Sequence, residues 1–189
     1  MYSNKELSPT SVSPMMINGK PGTIEKVDDL TVAFKFPDPY PLLPELLSVS
    51  TEISGHANSG KDAWGGYAPK HYLVKYHPKY TPKETVDKQA KDANFDNWVL
   101  YFKFLNDMSK NPDLPVVTPW KTVTPATTPL WTLERNPYSM WVDTDGNQLP
   151  YIDKIQLTLA ENLEIVNLKA IAGEIDYQAR HMDIGKLPV

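Results

Sequence analysis

The sequence of 189 residues contains no cysteine, which excludes disulfide bonds, thiolate metal sites and a cysteine nucleophile. No apolar run approaches the roughly 18 residues that a membrane-spanning helix needs, and residues 1–6 lack the apolar stretch of a secretion signal. Basic clusters are also missing, since 19 lysines and arginines face 23 acidic residues and the net charge is -4. A nucleic-acid partner is therefore not expected.

Aromatic and apolar residues are abundant enough to build a core. The hydrophobic fraction is 41%, with 5 Trp, 10 Tyr and 5 Phe, so the chain is expected to fold. Its length suits one domain or two small lobes. Proline is in excess, because 18 prolines in 189 residues is nearly double the usual share of ~5%. We therefore expect short helices and strands joined by long irregular connections.

The first part of the chain predicts an extended lead-in, a hairpin and four helices. Residues 1–22 contain three prolines and no periodicity, so regular structure is expected to begin after them. Alternating apolar residues on both sides of Asp28 and Asp29 predict a hairpin of 23–27 with 30–36. Helices are predicted over 41–49, 69–76, 81–93 and 96–110.

Two of these helices carry specific signals. The third begins with Thr81, Pro82, Lys83 and Glu84, a capping box with proline in the first turn. The fourth carries a helical stripe that requires a core to cover it, formed by Trp98, Tyr101, Phe102, Leu105 and Met108.

Composition shifts near Asn111, where we expect a boundary between residues 1–110 and 111–189. Five prolines between 111 and 129 exclude a helix and favour a connection between lobes. Strands are predicted over 130–135, 154–159 and 175–179, with a turn at 143–147. A helix is predicted over 161–172, closed by Gly173. The expected fold class is α+β, with mixed sheet and helices.

Several motifs approach a catalytic or metal-binding pattern without completing it. Residues 55–62 resemble a phosphate-binding loop but end in Asp62, where a hydroxyl is required. Asp143, Asp145 and Asn147 alternate as in a calcium loop, but Lys154 occupies the place of the bidentate glutamate. His71 and His77 are six residues apart, which on one helix places them on different faces. Neither a metal nor a cofactor is expected.

Tryptophans offer a different possibility, aromatic surfaces lining a cleft for sugars or peptides. Trp98 belongs to the core stripe. The other four lie in or beside predicted loops, and for them both a core position and a binding position stay open: Trp64, Trp120, Trp131 and Trp141.

Several stretches resemble, in order and spacing, the extracellular solute-binding proteins of family 5, the oligopeptide- and dipeptide-binding receptors of ABC importers. They are VDDLTV (27–32) with Phe34 and Phe36, YAPKHYL (67–73) with HPKY (77–80), LERNPY (133–138) with WVDTDGNQLPYID (141–153), and AGEID (172–176). One departure is ATTPL at 126–130, where many members have a Gly-Thr-Gly-Pro-Tyr turn. That departure weakens an inference specific to peptides.

The resemblance implies a partial periplasmic-binding-protein fold of type II that lacks the second large lobe. Residues 1–110 would form the end of an inserted small lobe, and 111–189 part of the first large lobe leading to the hinge. The parent protein would be extracytoplasmic and not an enzyme. It would capture a small solute, an oligopeptide by expectation, and deliver it to the permease subunits of an ABC importer.

The resemblance also implies where a solute would be contacted. In the family, the strand after the Gly-Glu-Ile-Asp motif leads toward the ligand cleft, so Gln178, Arg180 and His181 are the candidate ligand-binding residues, with Trp120 as an aromatic addition. On a strand, Gln178 and Arg180 would share one face. Arginine suits a carboxylate, and glutamine can both donate and accept hydrogen bonds.

Two other functional classes stay open. A glycoside hydrolase or carbohydrate-binding fragment could use Glu174 and Asp176 as paired acids on one strand face. An interaction domain would have no small-molecule site. In addition, strand edges and apolar surfaces without packing partners would favour self-association of the chain.

Overall fold

The structure, a computed structural model, describes residues 1–2, 4–49, 51–58, 64–181 and 185. Its antiparallel strands form two hairpins and one three-stranded sheet, which accompany five α-helices in the described residues. The strands are β1 (Met16–Ile17), β2 (Lys20–Pro21), β3 (Thr23–Lys26), β4 (Val32–Lys35), β5 (Trp120–Thr124), β6 (Leu130–Arg135) and β7 (Lys154–Thr158). The helices are α1 (Leu43–Ser48), α2 (Lys70–Leu73), α3 (Lys83–Asp92), α4 (Trp98–Leu105) and α5 (Leu163–Ile171). The predicted α+β class is confirmed.

The hairpin predicted around Asp28 is confirmed. β3 and β4 pair in antiparallel register, with Ile24 opposite Phe34. The Asp28 carboxylate accepts a 2.8 Å hydrogen bond from the Leu30 amide, which closes the turn between the strands.

The core lies between α3 and α4, as the aromatic stripe predicts. Trp98 and Phe102 of α4 are buried together with Val86 of α3 and Leu73 of α2. The helix itself is shorter than the predicted 96–110. Asn97 caps its first turn by accepting a 3.0 Å hydrogen bond from the Leu100 amide, and the chain leaves the helix after Leu105.

The prediction that structure begins after residue 22 is wrong, because the described part of this segment contains the β1–β2 hairpin and buries side chains. Leu7 is 1% exposed and Met15 is 3% exposed. The Glu6 carboxylate accepts a 3.0 Å hydrogen bond from the Trp98 indole. An irregular segment has no periodicity to reveal such contacts, and each apolar side chain is buried individually.

Helix α3 is confirmed, but its predicted cap is wrong. Pro82 occupies the N-cap position, and no side chain caps the helix. The Thr81 hydroxyl instead donates a 3.0 Å hydrogen bond to the Val74 carbonyl, which ties α3 to the preceding helical turn at Val74–Tyr76.

The proline-rich stretch 111–129 contains a strand that the sequence did not predict. β5 pairs with β6, placing Lys121 opposite Glu134, and β6 pairs with β7. Prolines at 119 and 125 flank β5 and so remove no amide from the strand itself, whose pairing with β6 shifts register between Thr122 and Thr124. Just before it, Leu114 is buried in the helical core and Asn111 donates a 2.7 Å hydrogen bond to the Leu105 carbonyl. The boundary at Asn111 stays a prediction.

Helix α5 ends as predicted, but the strand predicted over 175–179 is wrong. Gly173 has a φ of +73°, and the amides of Gly173 and Glu174 return to the carbonyls of Ala170 and Lys169. These two bonds form a Schellman motif. A strand needs a neighbour to pair with, and residues 175–179 have none in the described part of the chain. Of the described helices, none has both the length and the apolarity to cross a membrane.

Candidate functional site

The stretches LERNPY and WVDTDGNQLPYID fold against each other around Asn136. Asn136 is 3% exposed, and its side-chain nitrogen donates to the backbone carbonyls of Val116 and Thr118 at 3.0 and 2.9 Å. Its side-chain oxygen accepts a 3.0 Å hydrogen bond from the Tyr138 backbone amide. Gln148 joins the same region by donating to the Ser139 carbonyl at 2.9 Å. We name Asn136, Gln148 and these partners the loop junction.

Trp120 lies beside the loop junction. Its indole donates a 3.0 Å hydrogen bond to the Ile152 carbonyl, and the ring is half-buried. The Arg135 amide donates to the Asp153 carbonyl at 2.8 Å, and the two side chains form an ion pair at 3.1 Å. The residues that carry the family resemblance in this region therefore hold loops together, and Trp120 is fixed by them.

Asp143 organises the turn at 143–147 as a closed hydrogen-bonded unit. Its carboxylate accepts from the amides of Asp145 and Asn147, from the Asn147 side chain and from the Tyr151 hydroxyl. No cluster of three or more metal-ligating side chains occurs in the described ranges. The predicted turn is confirmed, and its carboxylate is already occupied by donors.

The same contacts alter the acidity of Asp143. The hydrogen bond from Tyr151, followed by that from Asn147, lowers the pKa of the carboxyl from 3.8 to about 2. Because the folded pKa lies below the unfolded one, this contribution to stability is complete above about pH 4 and is lost as the pH falls toward 2.

We expect Tyr151→Phe to raise the Asp143 pKa, because the phenylalanine ring cannot donate to the carboxylate. An NMR titration of the Asp143 side-chain carboxyl measures the shift. Tyr138→Phe is the control, since Tyr138 is exposed on the same loop and makes no hydrogen bond through its hydroxyl in the described structure. An Asp143 pKa that is the same in both variants would contradict this account of the turn.

The tryptophans divide between core and surface. Trp98 and Trp64 are buried, at 2% and 6% exposure. Trp131 is half-buried and donates a 3.1 Å hydrogen bond to the Thr122 hydroxyl. Trp141 is 61% exposed, beside the exposed Tyr138. Of the four positions left open by the sequence, Trp141 is the one that presents an accessible aromatic surface.

The predicted solute-binding residues lie on an exposed segment after α5. Gln178 donates a 2.6 Å hydrogen bond to the Arg180 carbonyl, so this segment turns locally and the argument from strand alternation does not apply. His181 has a φ of +63°. Arg180 forms no ion pair with any described residue, whereas Glu174 pairs with Lys169 at 2.8 Å. Trp120, by contrast, is held at the loop junction.

The remaining motifs resolve as follows. Glu174 and Asp176 are not paired on a strand face, because the strand does not form. The phosphate-loop-like stretch 55–62 falls partly outside the described residues. His56 at its start is buried, and its Nε2 accepts a 3.0 Å hydrogen bond from the Val117 amide.

Comparison with known proteins identifies the architecture. No family model matches the chain. The solved structure of the oligopeptide-binding protein OppA is 40% identical, with a TM-score of 0.76 over 95% of this chain and 26% of OppA. The chain matches a segment of ABC substrate-binding proteins. The chain spans about a quarter of OppA, so it accounts for only part of such a fold.

Two further relatives agree with this assignment. The periplasmic alpha-galactoside-binding protein of Rhizobium meliloti (strain 1021) is 27% identical over 175 residues, which are 92% of this chain and 21% of that protein. The periplasmic binding protein MelB of Agrobacterium fabrum C58, solved with stachyose, is 24% identical with a TM-score of 0.51, over 86% of this chain and 20% of MelB. MelB supports the fold alone. The predicted resemblance to solute-binding receptors is confirmed, and the glycoside hydrolase alternative is not favoured.

Proposed function

We propose that this chain is a segment of an extracytoplasmic receptor that captures a solute for the permease subunits of an ABC importer. The solute we expect is an oligopeptide, and the receptor has no enzymatic activity. The observation that carries the proposal is the 40% identity to the oligopeptide-binding protein OppA over 95% of this chain.

We propose that Gln178, Arg180 and His181 contact the solute, and that Trp120, held at the loop junction, adds an aromatic contact. All three residues after α5 are exposed. The Arg180 guanidinium is exposed, and its planar geometry fits a solute carboxylate. Of the two acidic residues that could pair with Arg180 as a surface charge, Glu174 pairs with Lys169, and Asp183 lies outside the described residues. Gln178 adds a group that can donate and accept hydrogen bonds.

We expect Arg180→Ala to weaken solute binding about tenfold, or about 1.4 kcal/mol, in the longer protein that contains this segment. Removing the guanidinium removes its charge-assisted hydrogen bonds to the solute. Titration calorimetry measures the change. Lys121→Ala is the control, because it removes an exposed positive charge from β5. Unchanged affinity in Arg180→Ala would contradict the site and leave the receptor role standing.

An oligosaccharide is the second candidate solute. It is favoured by the alpha-galactoside-binding relative at 27% identity and by the exposed ring of Trp141, since sugars stack on aromatic faces. Mass spectrometry of the solute retained by the longer protein, purified without denaturation, distinguishes a peptide from a sugar. A retained sugar would overturn the peptide assignment.

Self-association of the 189-residue chain stays a prediction. Helix α5 is rich in apolar residues, yet Leu163, Leu168 and Ile171 are each more than half exposed. A helix with so much apolar surface normally packs against another element.

A further inference from the structure

A cleft of about 380 Å³ opens between the first residues of the chain, α2 and the stretch HPKY. Its polar wall contains Asn4, Lys70, His77 and Lys79, and none of the described residues that line it is acidic. A volume of this size is within the range that holds small ligands. In a chain with a net charge of -4, this cleft is locally positive.

Two lysines of the cleft lie near the same aromatic ring. Lys70 Nζ lies 5.4 Å and Lys79 Nζ 5.9 Å from the centre of the Tyr80 ring. Within the described residues neither lysine forms an ion pair with a carboxylate. Both side chains are exposed, so an anion in the cleft can reach them.

Both ring nitrogens of His77 face hydrogen-bond donors. The Lys79 amide donates to Nδ1 at 3.1 Å, and the Asn4 side-chain nitrogen lies 3.3 Å from Nε2. The Asn4 orientation is fixed, because its oxygen accepts from the amides of Glu6 and Leu7 at 2.9 and 3.1 Å. A neutral imidazole has only one acceptor nitrogen, so one of the two donors always meets an N–H group.

The protonation of His77 does not remove this surplus of donors. Burial, then the amine of Met1 and the Lys79 ammonium, lower the His77 pKa from 6.5, and Glu6 opposes the shift. His77 is therefore neutral at pH 7, and protonation at lower pH would add a further donor. The group that satisfies such a wall is one that only accepts hydrogen bonds, namely an oxyanion.

The cleft also has an apolar wall. Ala68 and Val74 line it with an exposed and a half-buried side chain, whereas Leu73 and Phe102 belong to the buried core. A free inorganic anion would leave this wall against water, whereas an organic anion with a short hydrocarbon body would cover it.

We propose that this cleft binds a small organic carboxylate, with the carboxylate at Asn4, His77 and the two lysines and the hydrocarbon body against Ala68 and Val74. The proposal is independent of the receptor role, because none of its residues belongs to the solute contacts proposed after α5.

The test uses the 189-residue chain and hexanoate, followed by ¹⁵N NMR titration of the Asn4 side chain and the Lys79 amide. We expect saturable shifts at both groups. Lys70→Gln and Lys79→Gln should each weaken hexanoate binding about fivefold, as the loss of one exposed charge contact predicts. Lys75→Gln is the matched control, because Lys75 is exposed on the neighbouring helical turn and does not line the cleft. Its affinity should be unchanged.

Two competing probes make the result decisive. Hexanamide has the same body without the charge, and we expect it to bind at least about tenfold more weakly than hexanoate. Inorganic phosphate carries charge without the body and should also bind more weakly. Equal binding of hexanoate and hexanamide, a Lys75→Gln effect as large as that of Lys79→Gln, or tighter binding of phosphate would each overturn the proposal.

Discussion

Trp98→Ala is expected to destabilise the chain by about 3–5 kcal/mol. Trp98 is 2% exposed, and its ring lies 5.3 Å from His77 and 6.2 Å from Phe102, measured between ring centres. Alanine would leave a cavity at the centre of the helical core and remove the indole hydrogen bond to Glu6. The residue also joins α4 to the N-terminal segment, so both would loosen together.

Urea unfolding followed by circular dichroism measures this loss without relying on tryptophan fluorescence. Trp141→Ala is the matched control, because Trp141 is 61% exposed and its truncation should change the free energy of unfolding by no more than about 0.5 kcal/mol. Similar losses in the two variants would show that Trp98 is not a core residue.

Local signals in the sequence predicted most helices and strands correctly. The hairpin around Asp28, helix α3 and the Gly173 termination of α5 are each encoded within a few neighbouring residues. Their hydrogen bonds are made within the same short stretch, so periodicity and turn chemistry were sufficient to locate them.

The failures occurred where a distant contact decides the structure. Leu7 is buried in a cluster with Trp98 and Phe102 of α4, far along the chain, which no local pattern in residues 1–22 reveals. Thr81 fits the capping pattern, but its hydroxyl donates a hydrogen bond to the Val74 carbonyl instead of capping α3. The prolines on both sides of β5 made the stretch 111–129 look like an irregular connection, so β5 was not predicted. The predicted strand over 175–179 does not form, and no described strand pairs with it. Strand formation depends on a partner that a local pattern does not supply.

The candidate sites show the same contrast between what a local pattern predicts and what distant contacts decide. The resemblance pointed to Gln178 and Arg180 through family order alone, and their local geometry differs from the strand on which alternation was argued. The cleft at His77 was not predicted, because Asn4 and His77 are 73 positions apart. The signal available in the sequence is the density of lysine, histidine and tyrosine between 70 and 80, which the family resemblance alone does not assign to a cleft.

Asn136→Ala is expected to destabilise the chain by about 3 kcal/mol, because it removes the side-chain amide and leaves its buried partners without their hydrogen bonds. The carbonyls of Val116 and Thr118 would lose their shared donor, and the Tyr138 amide would lose its acceptor. Those three contacts connect the stretch before β5 with the turn after β6, so the loop junction should open while the helical core is retained.

Urea unfolding at pH 7 gives the size of the loss, and hydrogen exchange of the Tyr138 and Ser139 amides locates it. Asn147→Ala is the control, since Asn147 is exposed and its side chain makes one hydrogen bond, to Asp143, so its loss should stay within about 1 kcal/mol. If Asn136→Ala destabilised the chain no more than this control, the buried side-chain amide would not be what holds the loop junction together. If exchange instead accelerated at the Phe102 amide of α4 as much as at Tyr138, Asn136 would stabilise the whole chain rather than the junction.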